Sequence, residues 1–262
     1  MTHLAHLFMT ALLLTSNTTE RADLQHHFRD ANFDGGMIVY DLTRDQFITV
    51  NGPNTERPVL PASTFKIFNS LVALETGAVK DEREVFKWDG VKREREALDR
   101  DHHMRSAFKN SVVWFYQEIA HRVGQERMQS YIDKVGYGNR KIGPKIDTFW
   151  LDGEMRISAR QQVDVLTRLY RNELPFSQRS MDIVKRIMIS EQTPDYVLRA
   201  KTGWALRPTE EVGWWVGWVE RSNGDVYVFA MNIVAEKPNR DLFGPARMEI
   251  ARAILKDLGA HP

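Results

Sequence analysis

The spacing of apolar and polar residues changes twice along the chain. Near the start, "GMIVYDL" (residues 36–42) and "QFITVN" (46–51) are short β-rich runs separated by "TRD", which predicts a hairpin. Ahead of them, "TTERADLQHHFRDANFDGG" predicts an amphipathic helix from about Glu20 to Ala31, stopped before Gly35 and Gly36. Pro58 and Pro61 then break the chain. From Ser63 to about Ile189 the period is helical. "STFKIFNSLVALETG" is apolar nearly all round and predicts a central buried helix, with Gly77 as its stop. "MRSAFKNSVVWFYQEIAHRVG" and "QERMQSYIDKVG" predict two further helices. "SARQQVDVLTRLYRN" opens with Ser158 and Gln161, a capping box. After Ile189 the pattern turns to Val, Tyr, Trp and Phe in "YVLRAKTGW", "VGWWVGWVER" and "DVYVFAMNIV", with Asn223-Gly224 as a turn. The chain closes on the helix "GPARMEIARAILKDLG".

Strands thus lie at both ends and helices between. The pattern predicts an α/β fold: one mainly antiparallel sheet built from both chain ends and flanked by helices, with an all-helical domain inserted. The expected division is a sheet domain from residues 20–58 and 190–262, a helical domain over 59–189, and a site at their interface. Residues 1–18, with an apolar run from Leu4 to Leu14, read as a secretory signal, although no Lys or Arg precedes the run. The mixed-sign stretch "DEREVFKWDGVKREREALDRDHH" reads as a solvated connector without function.

Composition narrows the function classes. A chain of 262 residues with 42% hydrophobic content, seven Trp and thirteen Phe buries a large core. A net charge of +1 gives no electrostatic case for nucleic acid or an anionic membrane. The absence of cysteine removes thiol catalysis, disulfides and thiolate metal sites. No run beyond the first residues approaches the ~20 apolar positions of a bilayer span. Nothing selects between monomer and homodimer.

The candidate chemistry starts from Ser-x-x-Lys, whose two residues share a helix face. It occurs twice, at Ser63–Lys66 and Ser106–Lys109. A match is expected roughly once in a chain of this size, so the motif alone decides nothing. Ser63 begins an apolar helix after Pro61-Ala62, where backbone N–H groups favour developing negative charge. Lys66 falls among Phe65, Ile67 and Phe68, and desolvation there favours the neutral amine that a base requires. Lys109 stands beside Arg105 and Asn110 and reaches solvent more easily. The alternative for Ser63 is a plain N-cap. Lys201-Thr202-Gly203 ends a strand before an aromatic and suits a substrate carboxylate: Lys supplies charge, Thr a hydroxyl, Gly close approach. Ser111, in "SVV", offers a second hydroxyl. Tyr137 and Asn139, in "YGN", are either site groups or a structural turn. His26-His27 and His102-His103 are the histidine clusters; adjacent histidines point apart on a helix, so they read as surface residues and no metal site is expected. The tryptophans Trp88, Trp114, Trp214, Trp215 and Trp218 read as core and sheet packing.

The ordered series PASTFK, SVV, YGN, WLDG, KTGW, GWWVGWVE resembles the class D, oxacillinase-type serine β-lactamases, over about Gly36 to Leu258. The resemblance implies an α/β sheet domain with a helical domain, and hydrolysis of penicillin-type antibiotics. It implies Ser63 as nucleophile and Lys66, N-carboxylated by carbon dioxide, as general base. It further implies Trp150 as donor to that carbamate, Ser111 as the second-motif serine, and Lys201, Thr202 and Gly203 in substrate binding. Arg247 matches the arginine that holds the antibiotic carboxylate, and Val113 and Leu151 the apolar pair that covers the modified lysine. The oxyanion would lie between the backbone N–H groups of Ser63 and Trp204. No metal or organic cofactor is implied. The loop "WALRPTEEVGWW", with Arg207 near its tip, resembles that of carbapenem-hydrolysing members. A penicillin-binding DD-peptidase and a membrane-tethered β-lactam sensor share the same motifs; no transmembrane segment precedes the predicted domain here.

Overall fold

The structure is a computed structural model that describes residues 17–93, 95–206 and 210–261. The leader expected over residues 1–18 lies almost wholly outside the described residues, as does Arg207.

The N-terminal strands are β1 (Thr18–Glu20), β2 (Asp34–Asp41) and β3 (Gln46–Val50), with α1 (His26–Asp30) between the first two and α2 (Gly52–Glu56) after the third. The helix predicted over Glu20–Ala31 is shorter than its pattern. Glu20 is spent on the sheet: its carboxylate accepts from Thr49 Oγ1 at 2.6 Å and the Asn51 N–H at 2.8 Å. The Arg21 N–H donates to the Thr49 carbonyl at 2.7 Å, so helix starts only after a 3-10 turn at Ala22–Gln25. The predicted β2–β3 hairpin is present and antiparallel.

The helical segment runs through α3 (Phe65–Glu75), the ribbon β4 (Val85–Phe86) with β5 (His102–His103), α4 (Met104–Asn110), α5 (Val113–Val123), α6 (Gln125–Val135), α7 (Ala159–Tyr170) and α8 (Gln178–Ile187). Every residue of α3 from Phe65 to Leu74 is buried, as a helix apolar all round requires. Gly77 follows in the left-handed region at φ +69°, which halts the helix. The capping box predicted for α7 is made: Ser158 accepts from the Gln161 N–H, and Gln161 accepts from the Ser158 N–H. One predicted helix is two. Ser111 sits at φ +55°, ψ +42° and separates α4 from α5, a break with no proline or glycine to announce it.

β6 (Ile189–Gln192), β7 (Tyr196–Ala205), β8 (Glu211–Arg221) and β9 (Val226–Ala235) complete a seven-stranded sheet ordered β1-β3-β2-β9-β8-β7-β6. Only β1 and β3 pair in parallel. β2 against β9 joins the two ends of the chain, and Gly224 at φ +91° makes the predicted β8–β9 turn. The last helix, α9 (Arg240–Asp257), starts four residues before the predicted Gly244, because Asn239 caps it by accepting from the Asp241 N–H.

The tryptophan-rich strand shows how the sheet divides two cores. Trp214, Val216 and Trp218 face the helical segment, while Trp215 and Val219 face α1 and α9. The Trp214 indole donates to the Leu60 carbonyl at 2.7 Å, so the sheet holds the residues that lead into Ser63.

Candidate active site

Ser63 stands in a single 3-10 turn, Ala62–Thr64, that feeds α3. Ala62 adopts φ +49°, costly for a residue with a Cβ, and its N–H donates to the Trp150 carbonyl at 2.9 Å. Thr64 Oγ1 donates to the Pro61 carbonyl at 2.7 Å and accepts from Gln162 Nε2 at 2.7 Å. Strand β7 presses on the same turn. A Cβ on Gly203 would stand 3.1 Å from the Pro61 carbonyl, Thr64 Cγ2 and Trp214 Cβ, so glycine is what lets the strand come this close.

Ser63 is not a helix cap: its hydroxyl instead accepts from Lys66 Nζ at 2.7 Å. Lys66 is completely buried, and no ion pair reaches it among the described residues. Burial drives its amine well below the ordinary lysine value, and the nearby charges of Lys201 and Arg95 push the same way. The second Ser-x-x-Lys is different in kind. Ser106 Oγ accepts from the His103 N–H and donates to the His103 carbonyl at the start of α4, and Lys109 is exposed. That exposed Lys109 nevertheless stands at the rim of the cleft that holds Ser63.

Trp150 is fully buried and stacked on Phe65, ring centroids 5.3 Å apart. Its Nε1–H has no acceptor among the described residues, although a buried indole N–H ordinarily finds one. Lys201 Nζ donates to Ser111 Oγ at 3.2 Å and to the Thr202 carbonyl at 3.0 Å. The αL turn that splits α4 from α5 is thus what delivers the Ser111 hydroxyl to β7. Burial brings Lys201 down to about 7, with Arg247 and Arg95 adding to the effect. Arg247 donates to the carbonyls of Gly203 at 2.5 Å and Gly244 at 2.8 Å, and burial lowers it to about 10. Its guanidinium lies 5.2 Å from the Trp204 ring, whose Nε1 donates to Glu211 at 2.7 Å.

A cleft of about 550 Å³ gathers Ser63, Ser111, Val113, Thr202, Gly203, Trp204 and Arg247. Lys66 and Trp150 are buried. Val113 is exposed on the cleft wall, whereas Leu151 is half-buried against the helical core and does not line it. Tyr137 and Asn139 do not line it either. Tyr137 is buried against Phe65 and Phe68, and Asn139 donates to the Glu154 carbonyl and accepts from the Arg156 N–H, which makes a structural turn.

Two expectations need correction. The connector read as a solvated face contributes Arg95 to the cleft wall; charge alternation along a loop does not tell which side chains the fold turns inward. The histidines are also not all surface groups that point apart. His102 is buried, with Nδ1 3.0 Å from Ser106 Oγ. The His26 and His27 rings lie 4.0 Å apart, and ligand atoms of His26, His27 and Asp257 fall within 4.8 Å of one another, a group that could hold a metal ion. The approach of α9 to α1 makes this cluster, and His27 Nε2 is 2.7 Å from Asp257 Oδ2. None of the three lines the Ser63 cleft. Sequence reasoning also missed Gln162, which steadies the Ser63 turn through Thr64; its place one residue after the capping box was the only signal available.

Comparison with known proteins gives this geometry its family. Residues 24–256 match the penicillin-binding protein transpeptidase domain. Beta-lactamase OXA-48 of Klebsiella pneumoniae is 44% identical over 88% of this chain and 85% of its own length. Beta-lactamase OXA-20 of Pseudomonas aeruginosa is 42% identical over 99% and 97%. Among solved structures, a class D β-lactamase from Sebaldella termitidis aligns with TM-score 0.90 at 35% identity, covering 95% of this chain and 100% of that one. The class D β-lactamase YbXI from Nostoc aligns at 0.87 with 47% identity, covering 91% and 99%. The chain, with its Ser63–Lys66 pair and Lys-Thr-Gly strand, belongs to the class D β-lactamases.

Proposed function

We propose that the protein hydrolyses the β-lactam ring of penicillin-type antibiotics through an acyl-enzyme on Ser63. The observation that carries this is the 2.7 Å contact between Ser63 Oγ and a completely buried, acid-free Lys66 amine. The substrate carbonyl would meet Ser63 Oγ with its oxygen toward the backbone N–H groups of Ser63 and Trp204. Arg247 and Thr202 would take the carboxylate, while Ser111, bonded to Lys201, would pass a proton to the departing ring nitrogen. Water would then release the product from the serine ester.

Lys66 also suits N-carboxylation by carbon dioxide. Its depressed pKa keeps the amine neutral, and the acceptor-free Trp150 indole supplies a donor for an anionic carbamate. Such a carbamate would supply a general base for both acylation and deacylation. No metal or organic cofactor enters this reading. We extend the substrate range to carbapenems on the loop resemblance alone; kinetics on imipenem beside oxacillin test that extension. Export to the periplasm follows from reading residues 1–18 as a signal; among the described residues no helix is long and apolar enough to cross a membrane. The division into lobes 20–58 with 190–262 and 59–189, with the site between them, is part of the same proposal.

Nitrocefin turnover tests the reading. The unaltered protein is expected to hydrolyse it catalytically, and Ser63→Ala to abolish turnover while leaving the thermal unfolding curve in place. Stoichiometric acylation without turnover, read by intact mass, would move the assignment to a penicillin-binding or sensor protein.

A further inference from the structure

The walls of the Ser63 cleft carry four cations, Arg95, Lys109, Arg240 and Arg247, and no carboxylate among the described lining residues. A simple penicillin brings one carboxylate, so the four are not interchangeable. Arg240 is committed to Glu211 at 3.0 Å. Arg247 is turned by the Gly203 and Gly244 carbonyls toward the β7 side, where the single carboxylate belongs. Arg95 is different: among the described residues its side chain makes one hydrogen bond, a long 3.4 Å contact with the Asn110 carbonyl, and no ion pair. The two arginines are held at different places: Arg95 at the Asn110 carbonyl, next to Ser111, and Arg247 at the Gly203 and Gly244 carbonyls. Arg95 thus stands on the cleft wall at the end of α4, beside Ser111, while Arg247 stands by β7.

A β-lactam held by Ser63 and Arg247 directs its acyl side chain away from Arg247. Its ring carboxylate would then leave the Arg95 charge unmatched, in a walled cleft where a guanidinium–carboxylate pair is stronger than on open surface. We propose that Arg95 determines specificity by receiving a second carboxylate, carried on the acyl side chain, so that dianionic penicillins are preferred substrates. The inference rests on the β-lactamase reading above.

Benzylpenicillin and carbenicillin share one scaffold and differ by a carboxylate on the acyl α-carbon, which makes them the test pair. Arg95→Gln is expected to lower kcat/KM for carbenicillin about five- to tenfold, mainly through KM, and to change benzylpenicillin less than about twofold. Arg95→Lys should restore part of the loss, since charge persists without the fork. Raising NaCl from about 20 to about 500 mM should narrow the carbenicillin difference between the unaltered protein and Arg95→Gln. Equal effects on the two penicillins, or none on carbenicillin, would overturn the role of Arg95 and leave the β-lactamase reading standing. Failure of the unaltered protein to turn over either penicillin would overturn both.

Discussion

Lys66 and Ser106 show what burial does to residues of ordinary type. A lysine that reaches water keeps its proton, whereas Lys66 cannot reach it and its amine has, among the described residues, a serine hydroxyl as its one hydrogen-bond partner. Its identity was legible because three apolar neighbours, Phe65, Ile67 and Phe68, surround it in sequence; the orphaned Trp150 indole was not, because hydrogen-bond satisfaction is a property of three dimensions. Trp150→Phe keeps an aromatic ring beside Phe65 but removes the indole N–H together with part of the buried ring volume. Turnover is expected to fall roughly ten- to a hundredfold, with part restored by saturating bicarbonate. Activity unchanged by the substitution, measured in carbon-dioxide-depleted buffer, would separate Trp150 from the chemistry. The misread residues fail for the same reason: His26, His27 and Arg95 meet their neighbours through tertiary approach, and spacing along the chain carries no record of it.

At the scale of elements, periodicity reported where a helix exists but not where a partner cuts it short. The N-terminal helix shrank because Glu20 is worth more as a sheet anchor than as a helical residue. The α4–α5 break came from a serine in the left-handed region, held by the helices on either side. Helix ends tied to other helices give a direct test. Glu75, at the end of α3, accepts from the Ser177 N–H at 2.9 Å and from the Ser177 and Ser180 hydroxyls at 2.8 and 2.7 Å, at the start of α8. Burial alone would raise its pKa, but these donors more than offset it and hold the carboxyl below the ordinary value. The unfolded chain then binds the proton first, so this stabilisation is present above the ordinary glutamate range and is lost as pH falls through it. Glu75→Gln should cost about 1 kcal/mol near neutral pH, fading below about pH 4. Urea unfolding at several pH values reads the difference, and a pH-independent loss would contradict the assignment.

Across the whole molecule, the two ends of the chain build one sheet, and the segment between them is pressed onto its face. The joint is specific. Trp214 in β8 donates to the Leu60 carbonyl, Gly203 in β7 touches the turn below Ser63, and Lys201 reaches Ser111. Trp214→Phe leaves a buried carbonyl unpaired and should cost about 1–3 kcal/mol. Because that carbonyl leads into the turn that carries Ser63, the proposed nucleophile, kcat/KM should fall along with the melting temperature. A loss of stability with full activity would show that the turn holds without the sheet.

The sequence by itself determined the order of elements, the buried α3, the antiparallel character of the sheet and the Ser63–Lys66 and Lys201-Thr202-Gly203 pairs. Each of these is written in local periodicity or in residues a few positions apart. Only the tertiary structure decided which hydroxyl faces Lys201, which cation from the connector enters the cleft, how far the N-terminal helix extends, and that Trp150 waits without an acceptor. Those outcomes depend on groups separated by tens of residues, whose approach is set by core packing and by the need to pair buried polar atoms.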